Sequence, residues 1–120
     1  MKKILIILLI YVYPAISQQI QKYGEFMLGQ TIYTILHYID YRQTLYTTKS
    51  GYYELNPILG RKPTKKKINT YFISSYLLNT VIGFLLYRNN KNYYRYYIAV
   101  WIGIKSTIVY HNYVTLGFLF

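Results

Sequence analysis

Few side chains in this sequence suit metal ligation or acid–base work: His37, His111, and the carboxylates Asp40 and Glu54. His37 and Asp40 are three residues apart, a spacing that turns both to one face of a helix. Thr44 follows one turn later. Glu54 stands two residues before Asn56-Pro57, a turn dipeptide. Asn before Pro is biased away from helical backbone, so Asn56 is expected to aim its amide back at the local chain. His111 and Asn112 lie near the other end of the sequence. If these groups converge, His37, Asp40, Glu54 and His111 form a set that can hold a divalent metal or move protons. Equally, His37 and Asp40 can satisfy one another, or Asp40 can pair with Arg42, Lys105 or a serine. The soluble-enzyme signatures HExxH, P-loop, GxGxxG and GxSxG are absent, so no cofactor is predicted. Whether the chain is an enzyme stays open.

The elements that must position these groups are apolar blocks separated by basic clusters. Of 120 residues 53% are hydrophobic and 20% aromatic, with 18 tyrosines, which excludes disorder by composition. Only 14% are charged, yet the net charge is +11. A nucleic-acid binder would spread its cations along exposed faces, whereas these sit in short runs between apolar stretches. The reading is therefore a membrane protein with no nucleic-acid partner. Without cysteine there is no disulfide framework or thiolate site.

Met1-Lys2-Lys3, the apolar run 4–13 and Ala15-Ile16-Ser17 form a signal-peptide pattern, and the run is short for a span, which needs ~20 residues. Residues 1–17 are expected to be a signal peptide cleaved after Ser17, or a retained short anchor. The rest, 18–120, reads as an all-α, small polytopic membrane bundle. Helices are predicted over about 24–46, 68–87 and 96–119, with a hinge over 47–67 and a short polar loop over 88–95. In the first helix Gly29, Tyr33, His37, Asp40 and Thr44 form a polar stripe, which in a membrane must face other helices or a wet cavity. A helix lying in the interface is the alternative for that segment. In the second, Ser75, Asn79 and Gly83 lie four apart, and in the third Ala99, Gly103 and Thr107 do the same. Matching stripes of small or polar residues predict that these two helices pack through them.

Lys49, Arg61, Lys62 and Lys65 to Lys67 lie in or beside the hinge, against Arg88, Lys91 and Arg95 at the short loop. The positive-inside rule then places the hinge in the cytoplasm of an inner-membrane protein, or of a phage- or virus-encoded one. The 61–67 run is expected to meet anionic lipid headgroups. Thr64 is placed to cap the second helix. At ~1.5 Å per residue, Asp40 lies ~9 Å from the inner end of its helix and Ser74 and Ser75 about 9–11 Å from the start of theirs. His111 sits at a comparable depth, so one cytoplasm-side layer can collect His37, Asp40, a serine of the second helix, His111 and Asn112, with Thr44 counted in the same candidate cluster and Glu54 and Asn56 folded over it.

With those residues in place, the chain resembles a family of small multipass membrane proteins of bacteria and their phages. The resemblance rests on His37-x-x-Asp40-x-x-Gln43-Thr44, Tyr53-Glu54-x-Asn56-Pro57-Ile58-Leu59-Gly60, Lys62-Pro63, and His111-Asn112-Tyr113 with Gly117. It covers roughly residues 25–118 and implies a signal peptide and a shared site map, without an activity. Lys105 departs from it, standing where a neutral or acidic residue is expected, which places a cation within reach of Asp40. The functional expectation is a structural or interaction protein of the membrane, its partner another membrane protein or a second copy. A small intramembrane metal protein or enzyme, and a phage-type permeabilising protein, are the alternatives.

Overall fold

The computed structural model describes residues 2–117 and is all-helical across them, with α1 over Lys2–Lys49, α2 over Lys65–Asn89 and α3 over Lys91–Leu116. Predicted residues 118–119 of the last helix lie outside the described residues, as do the side chains of most of the apolar run 4–13. Residues 2–17 continue α1 without a break, and Pro14 sits inside the helix. All three helix pairs are in contact. Among the described residues only α2 is long and apolar enough to cross a membrane by length and composition, with a mean hydropathy of 1.3 over its most apolar window.

Both connections are shorter than predicted. The predicted loop over 88–95 reduces to Asn90, which ends one helix and starts the next. Its extended backbone (φ −156°, ψ 110°) lets its N–H donate to Leu86 O at 2.7 Å while Oδ1 accepts from Asn92 N at 2.9 Å. One residue satisfies orphan groups on both helices, so Arg88, Lys91 and Arg95 are helical. The hinge likewise narrows from 47–67 to 50–64, because Thr47 and Thr48 hydroxyls donate to Gln43 O and Leu45 O and ride on the helix end. Thr64 caps α2 as expected, its hydroxyl accepting from Lys67 N at 3.2 Å.

Polar side chains share the interior with aromatic and aliphatic ones, while many large aliphatic side chains face outward. Buried polar residues include Gln30, His37, Asp40, Gln43, Thr44, Asn79 and Lys105, whereas Leu28, Ile35, Ile73, Leu78, Val81, Val100 and Val114 are each more than half exposed. The polar stripe of α1 therefore faces inward. Tyrosine hydroxyls tie the helices by donating to helical carbonyls: Tyr87 to Lys22 O at 2.7 Å, Tyr94 to Phe26 O at 3.0 Å and Tyr97 to Asn79 O at 3.3 Å. Tyr33, Tyr87, Tyr94 and Ile98 form one core cluster, and Leu59, Ile68 and Phe72 form the other, beneath the hinge.

The matching-stripe prediction holds for α2 and fails for α3. Asn79 and Gly83 are buried and Ser75 is half-buried, but Ala99, Gly103 and Thr107 are exposed. A Cβ at Gly103 would meet nothing within 4 Å. The inward face of α3 is built instead from Tyr94, Ile98, Lys105 and Val109, whose bulk fills the gap to α1. The close approaches are elsewhere. A Cβ at Gly83 would lie 2.8 Å from Gln30 Nε2 and 3.5 Å from both Tyr94 and Tyr97, and one at Gly29 would collide with the Tyr94 hydroxyl and touch Ile98. Gly29→Val is accordingly expected to cost about 1–3 kcal/mol by overpacking, read as a lower midpoint in a denaturant titration in detergent. Gly103→Val, facing outward, is expected to leave that midpoint unchanged.

Candidate functional site

Six of the seven predicted cluster residues line one cavity. Asp40, Thr44, Glu54, Asn56, His111 and Asn112 surround a space of 420 Å³ beneath the hinge, together with Tyr71, Phe72 and Lys105. Three separate parts of the chain meet there: the inward face of α1, the loop, and the last turns of α3.

The loop is folded by its own side chains. Glu54 N–H donates to Arg61 O at 3.0 Å, which closes the segment at its base. Inside it, the Glu54 carboxylate accepts from Asn56 N at 2.8 Å and Asn56 Oδ1 accepts from Ile58 N at 3.0 Å, the local amide bond expected from Asn-Pro. Leu59 N and Gly60 N both donate to Asn56 O at 3.1 Å, and Gly60 takes the left-handed backbone (φ 78°) that this tight return requires. The result drives Leu59 down onto Ile68 and Phe72 and leaves Leu55 and Ile58 pointing out, 76% and 67% exposed. Glu54 and Asn56 thus shape the loop as well as lining the cavity.

At the floor, Lys105 Nζ donates to Asp40 Oδ2 at 2.5 Å, with side-chain exposures of 6% and 8%. The same ammonium lies 5.3 Å from the centre of the Phe72 ring, within cation–π range. Charge is balanced between α1 and α3 at the point where both are most buried. Gln43 adds a second tie, its Nε2 donating to Val109 O at 3.2 Å.

His37 does not join this group. Its Nε2 donates to Phe72 O at 2.9 Å, which makes Nδ1 the acceptor for the Tyr33 hydroxyl at 3.3 Å. Both ring nitrogens are therefore engaged, one within α1 and one toward α2, and His37 borders a different groove of 430 Å³ between α1 and α2, with Tyr41, Asn69 and Tyr76. Spacing three put His37 and Asp40 on one helical face, but that face is wide enough for the pair to address different neighbours. The metal set His37, Asp40, Glu54 and His111 is corrected accordingly. Among the described residues no three His, Asp, Glu or Cys side chains come together to hold a metal. Asp40 is occupied by a lysine and His37 by a carbonyl.

Lys105, one of the partners the sequence offers Asp40, stands outside the predicted cluster yet closes its floor. The signal for it was available: one charge within an otherwise uncharged helical stretch, where a buried partner is required. Gln30 carries no comparable signal, since an amide is as common on an outer face. At the far end of the bundle a second, exposed ion pair joins α1 to α3, with Arg95 Nη2 donating to Glu25 Oε2 at 3.1 Å. Glu25 holds the Arg95 guanidinium above its already high ordinary value through that hydrogen bonding. Compared with protein-family models, curated proteins and solved structures, the chain finds no match in any of the three.

Proposed function

We propose that the chain is a three-span integral membrane protein, with 47–67 on the cytoplasmic side, acting as a structural or interaction component rather than through a metal. The observation that carries this reading is a buried Asp40–Lys105 pair with buried amides inside, set against many exposed Leu, Ile and Val side chains outside. Lipid cannot satisfy ionic groups, so a bilayer selects this arrangement, whereas water would select its opposite. Asp40 and Lys105, which face one another, lower the hydropathies of α1 and α3, whose outer faces carry Leu28, Ile35, Val100 and Ile104 among polar side chains. Exposed Leu55 and Ile58 on the loop stand beside exposed Arg61, Lys62 and Lys65 to Lys67. That combination suits the headgroup boundary, with aliphatic side chains dipping inward and lysines meeting anionic lipid. The loop then anchors the cytoplasmic end while Leu59 locks it to the bundle.

Topology tests this reading directly, because the chain has no native cysteine to remove. Ser50→Cys is expected to be protected from a membrane-impermeant maleimide added to intact cells and to label after lysis, and Asn89→Cys is expected to label from outside. Labelling of both from the same side would sink the three-span arrangement.

A further inference from the structure

The Asp40–Lys105 pair is flanked by two cavities. The 420 Å³ space beneath the loop reaches it from the hinge side. A second space of 120 Å³ lies farther along the bundle, bordered by Tyr33, Ser75, Asn79 and Tyr97, and shares Tyr71 and Lys105 with the first. Those two side chains are the partition between them.

The inner space contains a polar group that the protein leaves unanswered. Asn79 is 4% exposed, and neither its amide nitrogen nor its oxygen has a protein partner. Gln30, 7% exposed and packed where α1 meets Gly83 of α2, has the same deficit at both atoms. Buried amides are seldom left unpaired, and ordered water is the usual remedy. A water occupies about 30 Å³ in the liquid and needs two to four polar partners. The inner space has room for several, among the side chains of Lys105, Asn79, Ser75 and its lining tyrosines.

Farther along, the path is stopped. Tyr94 and Tyr87 are 0% and 4% exposed and pack edge-to-face, with Phe26 against both rings. The outer rim of the inner space is formed by Leu78 and Ile82, which in a bilayer lie against lipid chains.

We propose that the two cavities form one blind, water-filled chamber, entered beneath the hinge loop, which brings water and small hydrophilic solutes past Tyr71 and Lys105 to Asn79. The chamber rests on the geometry of the bundle, and its closure along Leu78 and Ile82 rests on the membrane reading above.

Single cysteines report on it. Ser75→Cys, a near-isosteric change, and Asn79→Cys are compared with Val81→Cys on the lipid-facing side, using the small cationic reagent methanethiosulfonate ethylammonium. In detergent micelles and in oriented vesicles, Ser75→Cys and Asn79→Cys are expected to react about tenfold faster than Val81→Cys, and in vesicles only from the hinge side. Adding Tyr71→Ala to Ser75→Cys is expected to accelerate it further by about tenfold, by removing half of the partition. Ser75→Cys reacting no faster than Val81→Cys in micelles, or unmoved by Tyr71→Ala, overturns the chamber whether or not Asn79→Cys folds. Equal reaction from both faces of the vesicle overturns its blind end. A fast Val81→Cys in vesicles instead overturns the membrane reading, and the chamber is then decided by the Tyr71→Ala comparison in micelles.

Discussion

Lys105→Met is expected to destabilise the bundle by about 3–5 kcal/mol, since it leaves a buried carboxylate without its counter-charge. Asp40 is 6% exposed, and its donor in the structure is the Lys105 ammonium at 2.5 Å. Asp40→Leu is expected to cost a similar amount, this time by stranding the ammonium. The double variant Asp40→Leu/Lys105→Met replaces both charges with apolar side chains of similar length. Such replacements of whole buried pairs are often neutral or stabilising, so the double variant is expected within about 1 kcal/mol of the parent. The coupling between the sites is then several kcal/mol, well above the additivity seen at distant positions. Because the cavity reaches the pair, hydration of the stranded charge should hold each single cost near the lower end of the range. The measurement is a denaturant titration in detergent micelles followed by circular dichroism. Single variants within about 1 kcal/mol of the parent would mean that the pair does not hold α1 to α3.

The same pair shows how far the sequence carries. A stripe of Gly29, Tyr33, His37, Asp40 and Thr44 on an otherwise apolar helix has only one stable disposition if lipid is the solvent, and its buried members do face inward. The Asn56 turn and the Thr64 cap were equally legible, because both depend on backbone bonds within three residues. Convergence of Asp40, His111 and Asn112 followed from depth along helices of known rise, and that of Glu54 and Asn56 from the hinge folding over the same end. What depth does not specify is azimuth. His37 shares a depth and a face with Asp40, yet a modest rotation aims it at Phe72 O instead of at the cavity. Azimuth also defeated the α3 stripe: Ala99, Gly103 and Thr107 have the spacing of a close-packing seam, but Tyr94, Ile98 and Lys105 occupy the seam. Small residues permit close approach without requiring it. The approach went to Gly29 and Gly83, where a bulky Tyr94 needed the room.

Leu59→Ala is expected to cost about 2–5 kcal/mol, the range for truncating a fully buried aliphatic side chain that leaves a cavity. Leu59 is 2% exposed and seated against Ile68 at 0% and Phe72 at 5%, with Tyr41, Leu45 and Tyr71 around them. Within the 50–64 loop only Leu59 and Pro63 are buried, and Leu59 is the one seated in the Ile68–Phe72 cluster. Ile58→Ala, one residue earlier and 67% exposed, is expected to leave stability unchanged while weakening association with anionic vesicles, because the proposed membrane orientation sets Ile58 at the headgroup boundary. The contrast separates docking from membrane contact. Loss of the Leu59 anchor should also free Glu54 and Asn56 from the cavity mouth without disturbing their mutual hydrogen bond, which lies within three residues of chain. Amide exchange is the suitable readout. Protection at Leu59 and Gly60 N–H, which donate to Asn56 O, should survive in Leu59→Ala if the turn is self-contained. Protection at Glu54 N–H, which depends on Arg61 O across the loop, should fall. If both fall together, the turn is held by the bundle instead of by its own side chains, and the Asn-Pro segment is a consequence of docking rather than its cause.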